Sequence, residues 1–355
     1  MRAVIFVEPG RIILADKPIP DGGPNDALLR IATTTICGAD VHILKGDYPV
    51  AKGLTIGHEP VDILEKLDPA VKGCIEGQRV ITGAITPSGQ SYASLCGCLA
   101  QAGPASLHGF KKMGGWRFGN TIDGCHAEFV LVPDATANLS PVPDELTDEQ
   151  VLMCPDIMST GFSGAESGHV RIGDIVALFA LGPIGLCAVA GAKLTGATKI
   201  VGVDTVPARL AAARKLGADH VVDFGSSDPV AEIMHLTDGR GVDVAIEALG
   251  TQGTFQSALR VLRPGGILSS LGVYSGDLVI PADAFSAGLG DNRIVTSLCP
   301  RGKKRMRRLM AVISSGRVDL GARSPIAFRS TGSRKPTTCS LISVTACSRL
   351  QLLPS

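Results

Sequence analysis

The chain has 355 residues, of which 45% are hydrophobic and 19% charged. That length exceeds the usual size of a single hydrophobic core and predicts two domains, and that balance excludes a globally disordered chain. A net charge of +1 gives no electrostatic reason to expect nucleic acid or a membrane surface as a partner.

The opening run at 1–7 has strand length, soon meets Glu8, Pro9 and Gly10, and does not have the build of a targeting signal. The first 150 residues are rich in Gly and Pro. Short β-type runs at 27–32, 61–67, 79–82 and 128–132 predict a β-rich domain with long loops. The pattern changes near Thr147, where a helical stretch leads towards 161–165. From Gly173 onwards strand and helix alternate: strand 175–181, helix 184–195, strand 199–203, then helix 207–216 stopped by Gly217. Further strands follow at 220–223, 242–247 and 267–271. This βαβ alternation predicts a parallel sheet covered by helices on both faces.

The most apolar stretch, 175–194, is interrupted by Gly182, Pro183, Gly185 and Gly191, so it reads as strand, turn and helix and not as a membrane span. The ten cysteines are scattered through a chain too long to need disulfide staples, which fits a reducing cytoplasm. From Gly321 to the end the chain holds five of its 34 basic residues (Arg323, Arg329, Arg334, Lys335 and Arg349) and none of its 33 acidic ones. Rich in Ser and Thr and without a convincing period, it predicts a disordered basic tail.

The turn Ala180-Leu-Gly-Pro-Ile-Gly follows a predicted strand and opens a predicted helix. Gly182 permits backbone to approach a pyrophosphate, Gly185 permits close packing of helix and strand, and the helix N-terminus, with Pro183 and Ile184 in its first turn, offers N–H groups and positive dipole. The first position of this glycine fingerprint is Ala180. Asp204 ends the next strand about 20 residues on, where a carboxylate accepts hydrogen bonds from a ribose 2′-hydroxyl and repels a 2′-phosphate. The expectation is NAD(H) over NADP(H), with Arg209 flanking the adenosine ribose and softening the preference. The plainer reading of Asp204 is a strand-end carboxylate capping a turn.

Cys37, His58 and Asp156 are too far apart for spacing to connect them, and singly a Cys in an apolar run is a core residue and a His after Gly a loop residue. As a set, one thiolate, one imidazole and one carboxylate make a borderline-soft tetrahedral site with a fourth position open. Cys37 with Asp40 and His42, then Gly57-His58-Glu59, then the Gly182/Gly185 turn stand in the order of the zinc-dependent medium-chain alcohol dehydrogenases. The chain resembles that family from about residue 1 to 320. Residues 115–118 (Gly-Trp-Arg-Phe), 156–162 (Asp-Ile-Met-Ser-Thr-Gly-Phe) and 297–302 (Ser-Leu-Cys-Pro-Arg-Gly) are more specifically similar to the tetrameric bacterial secondary-alcohol (isopropanol) dehydrogenases.

The resemblance implies an α/β protein of two parts. A β-rich, GroES-like catalytic domain spans 1–150, with a C-terminal contribution from about 298–355, and a Rossmann domain with a doubly wound parallel sheet spans 151–297. It implies one catalytic Zn2+ per chain on Cys37, His58 and Asp156, the aspartate replacing a more usual cysteine, with Glu59 binding or releasing as ligands exchange. It implies a homotetramer. It also implies reversible oxidation of an alcohol, with zinc as Lewis acid and hydride passing to the nicotinamide.

In this family a Ser or Thr two positions after the ligand cysteine passes the alcohol proton onward. Here that position is Ala39, so the expectation is a water-bridged relay to His42, with Cys37, His42, His58, Glu59 and Asp156 forming the catalytic group. Asp40 reads as an acceptor beside the metal or cofactor, or as a loop cap. Trp116 reads as a wall of the alcohol pocket, or as a lid anchored on its own loop. Asp62 and Asp68 stand where the family tends to have glycine and are expected to strain the strand at 61–67. Relatives hold a structural zinc on four close cysteines; here Cys96 and Cys98 alone occupy that lobe, and no structural zinc is expected. The tail from Gly321 resembles none of the relatives' closing helix and strand. The leading reading is an NAD(H)-linked oxidoreductase acting on a small secondary alcohol or ketone. A polyol, aldehyde or primary-alcohol dehydrogenase of the same family, and a catalytically impaired nucleotide-binding relative, are the alternatives.

Overall fold

A computed structural model describes residues 1–48, 50–103, 109–300, 302–320 and 328–329, so the expectation of a disordered tail lies almost wholly outside the described residues. The chain divides into two compact units, Met1–Asp156 with Pro300–Ser355, and Ile157–Cys299.

The first unit opens with a hairpin of β1 (Arg2–Glu8) and β2 (Arg11–Asp16). β3 (Ala27–Thr34) alternates buried and less buried positions along its length, the period of a strand with one face on a core. Then come α1 (Gly38–Lys45), β4 (Pro60–Leu67), β5 (Arg79–Thr82), α2 (Tyr92–Leu95), β6 (Phe129–Val132), α3 (Ala135–Asn138), β7 (Leu139–Pro141) and α4 (Asp148–Val151). β3, β4, β5 and β7 lie side by side and antiparallel, and β6 pairs with β3. Leu29, Ile31, Leu64, Val80, Phe118 and Val130 fill the core on this sheet.

The second unit contains α5 (Ile157–Ser167), β8 (Ile175–Phe179), α6 (Pro183–Thr195), β9 (Lys199–Asp204), α7 (Pro207–Leu216), β10 (His220–Asp223), α8 (Pro229–Leu236), β11 (Val242–Glu247), α9 (Gln252–Arg260), β12 (Leu262–Ser270) and β13 (Arg293–Thr296). The sheet order is β10-β9-β8-β11-β12-β13, every pair parallel. Alternate residues feed opposite faces: Val176 and Leu178 pack with Ala188 and Val189 of α6, whereas Ala177 and Phe179 pack with Ile233 of α8 and Phe255 of α9. Both faces are therefore covered, and the strand order reverses beside β8, where such sheets leave a crevice at their carboxyl ends. β8 stops two residues earlier than expected because Ala180 takes a left-handed φ of 71°.

The chain then returns to the first unit as α10 (Lys303–Ser314), which buries Met306, Leu309, Met310 and Ile313 along one face, and as β14 (Phe328–Arg329), antiparallel to β3. Among the described residues no helix is long and apolar enough to cross a membrane.

Candidate metal centre and nucleotide-binding turn

Cys37 sits where β3 hands over to α1. Its Sγ accepts the Ala39 N–H at 3.4 Å, and Asp40 Oδ2 accepts the Cys37 N–H at 2.9 Å. This reciprocal cap starts the helix and fixes the thiol at its N-terminus. His58 and Glu59 immediately precede β4. Gly57 before them has φ +94°, and a Cβ there would meet the His126 ring at 2.6 Å, so the approach requires glycine. Asp156 follows α4 in the turn that ends the first long segment of this unit.

These sequence-distant residues converge. One ligand atom from each of Cys37, His58, Glu59 and Asp156 lies within 4.8 Å of the others. Cys37 Sγ is 3.8 Å, and His58 Nε2 3.5 Å, from Asp156 Oδ2. His58 is 3% exposed and Glu59 fully buried. Neither Glu59 oxygen has a hydrogen-bond partner, nor has His58 Nδ1. Burial, then the charge of Asp156, pushes the Glu59 carboxyl well above the usual range. Burial, then the charge of Glu59, raises the Cys37 thiol strongly. Burial opposes a charged His58, yet the Cys37 and Asp156 groups beside it raise its pKa well above the ordinary value. The polypeptide thus gathers acids in a dry place without enough positive charge, and a dication reverses each of these shifts. A sulfur, an imidazole nitrogen and carboxylate oxygens are the donor set zinc takes, so these residues fit that ion.

His42 stands apart from the cluster. Its Nδ1 meets Asp47 Oδ2 at 2.7 Å, and its ring lies 5.4 Å from that of Tyr48. Tyr48 in turn packs edge-on against Trp116 at 5.3 Å, and Trp116 lies 6.4 Å from His58. Trp116, only 8% exposed, therefore belongs to an aromatic wall beside the cluster. Burial, then the Cys37 charge, pushes the Tyr48 phenol up to about 12. Asp40 is fully enclosed, 3.8 Å from His58 Nδ1 and 3.4 Å from His126 Nε2. Burial raises its pKa, but the charge and ring N–H of His126, the charge of His58 and the Cys37 N–H together outweigh it, and the net direction is downward. Tyr48 and His126 carry no motif in the sequence; only the fold brings them here.

In the second unit, Gly182 N-caps α6 with Pro183 at its first position, which leaves Ile184 and Gly185 to supply the first-turn N–H groups. A Cβ on Gly182 would point into open space, whereas one on Gly185 would collide with the Ala180 carbonyl at 1.9 Å. The turn thus has an open side for an anion and a packed side for the strand. Asp204 is 4% exposed. Its Oδ2 accepts the Leu181 N–H at 2.7 Å, and its Oδ1 accepts those of Thr205 and Val206 at 2.8 and 2.9 Å. Arg209 Nη1 stands 3.6 Å away. The carboxylate therefore caps its turn, and the same bonds hold its charge at the strand end.

Two departures from the family resolve differently. Asp68 caps a turn, accepting the Asn25 and Ala70 N–H groups at 3.1 and 2.9 Å, and no strain is visible there. Asp62 lies fully buried on β4 with its Cα opposite Ile31 and Val80, and neither carboxyl oxygen has a partner. Burial, then the charge of Asp148, raises its pKa well above normal. Cys96 and Cys98 are exposed, the first ending α2 and the second preceding the short helical turn Leu99–Gln101.

The family models match in two blocks. The alcohol dehydrogenase GroES-like domain matches residues 23–144, and the zinc-binding dehydrogenase model matches residues 183–315. An alcohol dehydrogenase of Cupriavidus necator is 68% identical over 91% of this chain and 90% of its own. An NADP-dependent isopropanol dehydrogenase of Thermoanaerobacter brockii is 34% identical over 90% of each. Among solved structures, an alcohol dehydrogenase from Thermus sp. ATN1 superposes with a TM-score of 0.80, at 30% identity and covering 90% of each chain.

Proposed function

The chain belongs to the zinc-dependent medium-chain alcohol dehydrogenase family, and from that premise we propose that it interconverts small secondary alcohols and ketones with NAD(H). The observation that carries the reading is the convergence of Cys37, His58, Glu59 and Asp156 on one buried point. Zinc held by Cys37, His58 and Asp156, with Glu59 as an exchanging ligand, supplies Lewis acidity that lowers the pKa of an alcohol. Asp40 behind His58, itself fixed by the Cys37 N–H, orients that imidazole. Trp116 and Tyr48 present an aromatic wall that excludes water and favours a compact apolar substrate. Asp47 holds His42 through Nδ1, which leaves Nε2 free to take a proton in the neutral ring. Ala39 offers no hydroxyl, so a water completes the path from substrate to His42. Converting Ala39 to Ser is expected to raise activity several-fold at neutral pH; unchanged activity means that the proton leaves by another route.

Ile184 and Gly185 at the first turn of α6 are the candidates for holding the pyrophosphate, and Asp204 the candidate for choosing the ribose. The hydride chemistry is the nicotinamide's own. Because the T. brockii relative is named as NADP-dependent, the NAD(H) preference rests on this chain's Asp204, whose fixed negative charge disfavours a 2′-phosphate. Exposed Leu278, Val279, Ile280 and Leu289, in the unit whose sheet ends at β13, support self-association as a homotetramer. Eight cysteines among the described residues stand outside any disulfide, which supports a cytoplasmic setting.

The test is metal content together with NADH formation from 2-propanol. One zinc per chain with turnover, faster with NAD+ than with NADP+, is expected. One zinc with no turnover on any alcohol favours a catalytically impaired relative, the reading that Ala39 supports. A preference for a polyol or primary alcohol would keep the chemistry and replace the substrate.

A further inference from the structure

We propose that His126 is a positioning residue for the metal centre, bracing Asp40 through one carboxylate oxygen while the other faces His58. The inference rests on the zinc reading above. Three independent contacts place the ring. His126 Nε2 lies 3.4 Å from Asp40 Oδ2, the oxygen that also accepts the Cys37 N–H at 2.9 Å. His126 Nδ1 lies 3.4 Å from the Thr34 hydroxyl, which donates to the Glu59 carbonyl at 3.2 Å. The ring face packs where a Cβ on Gly57 would stand, one residue before His58.

The backbone makes these contacts rigid. Cys125 N–H donates to the Gly57 carbonyl at 2.9 Å, His126 N–H to that of Ile56 at 2.8 Å, and Val4 N–H to the His126 carbonyl at 2.8 Å. His126 is therefore fixed on the segment that carries His58 and Glu59, while its ring reaches the carboxylate that caps the segment carrying Cys37. His126 Nε2, Asp40 Oδ1 and His58 Nδ1 have no hydrogen-bond partner, so these charge approaches to and from Asp40 are the polar contacts that hold them. Asp40 has two oxygens and two imidazoles to serve. With His126 removed, nothing holds its carboxylate plane against rotation except the one N–H of Cys37, and the ring orientation of His58 loosens with it. Partners standing one bond behind a metal ligand act in this way on affinity and geometry.

The experiment compares the full-length wild type with His126→Phe, which keeps a ring over Gly57 and removes both nitrogens. Each is loaded with zinc for release to a chelator and with Co2+ for its ligand-field spectrum. Release from H126F is expected to be about 10- to 100-fold faster, with a shifted cobalt spectrum, while the metal-free proteins unfold at the same temperature. In an Asp40→Asn background the same change should add little, since both act through one carboxylate. If H126F fails to fold, His126→Leu serves in its place with the same expected loss, and His126→Gln, which retains an N–H donor, should restore the wild-type spectrum. Wild-type release and spectrum in H126F, or full additivity with D40N, would overturn the proposal. A wild type that binds no metal at all would instead overturn the zinc reading on which it stands.

Discussion

In the parallel-sheet unit the buried carboxylates are met on every side, whereas in the β-rich unit several are not. Asp204 accepts three backbone N–H groups. Asp243 accepts the Ile175 N–H and faces Arg240 and Arg263. Glu247 accepts the Leu249 and Gly250 N–H groups and the hydroxyls of Thr254 and Tyr274. Against this, Asp40, His58, Glu59, Asp62 and His126 all bear unpartnered buried atoms, and among the described residues every such atom lies in the β-rich unit. A nucleotide turn works through backbone dipoles that folding itself positions, so its unit closes its own accounts of hydrogen bonds. A metal centre needs donors kept away from other partners, and the fold bears the desolvation of those donors until an ion meets them.

The sharpest way to break the comparison is to remove a candidate ligand. Cys37→Ala should lower bound zinc and reduce turnover on the order of 10³-fold, the scale of a few kcal/mol of charge stabilisation; near-normal activity with zinc retained would remove Cys37 from the centre. Asp62 tests whether every orphan of this unit serves the metal, since it lies outside the ligand cluster. Asp62→Ala should stabilise the protein by about 1–3 kcal/mol at neutral pH, the cost of an unsatisfied buried polar group. The raised pKa sets the sign. Its neutral form is the one the fold tolerates, so stability is fullest below the unfolded carboxyl value of 3.8 and falls as pH rises through the folded value. Denaturant titrations from pH 4 upwards should show that slope in the wild type and a flatter one in D62A; parallel curves would mean that Asp62 finds a partner in solution.

On the other side of the comparison the effects are smaller. Asp204→Asn keeps the side-chain shape and removes the charge, and should narrow the ratio of kcat/KM for NAD+ over NADP+ by about tenfold, well inside the several kcal/mol of a like-charge contact. An unchanged ratio would leave Asp204 a turn cap only. Ala180→Gly should be the smallest change. It relieves a left-handed φ of 71° at a strain of about 1–2 kcal/mol but frees the unfolded chain, for a net gain of about 0.5 kcal/mol. A lowered midpoint in thermal unfolding would contradict it.

Much of the parallel-sheet unit was legible in the sequence, because apolar runs in regular alternation, with a stop such as Gly217, are local signals. α7, β10 and β11 have the expected bounds. The reach of β8 was overestimated, since nothing local says that Ala180 turns left-handed. The candidate metal residues were legible only as a set, through family resemblance, because 37, 58 and 156 are joined by tertiary folding and by no period. His126 and Tyr48 escaped for the same reason, and α10 went unanticipated although Met306, Leu309, Met310 and Ile313 follow a helical spacing. Asp62 and Asp68 looked alike in sequence. One caps a turn and the other is entombed, a distinction set by which side of the strand end each occupies.

The placement of the thiols turns this protein into its own stopwatch. Cys96 and Cys98 face solvent, while Cys37 is 7% exposed and burial pushes its thiol up when no ion is bound. An alkylating reagent therefore marks the outer pair readily and Cys37 more slowly, through the substrate's own entrance or when the β-rich unit opens. Peptide mapping of the two rates then reads how often Cys37 is reached, and how far a bound ion slows it.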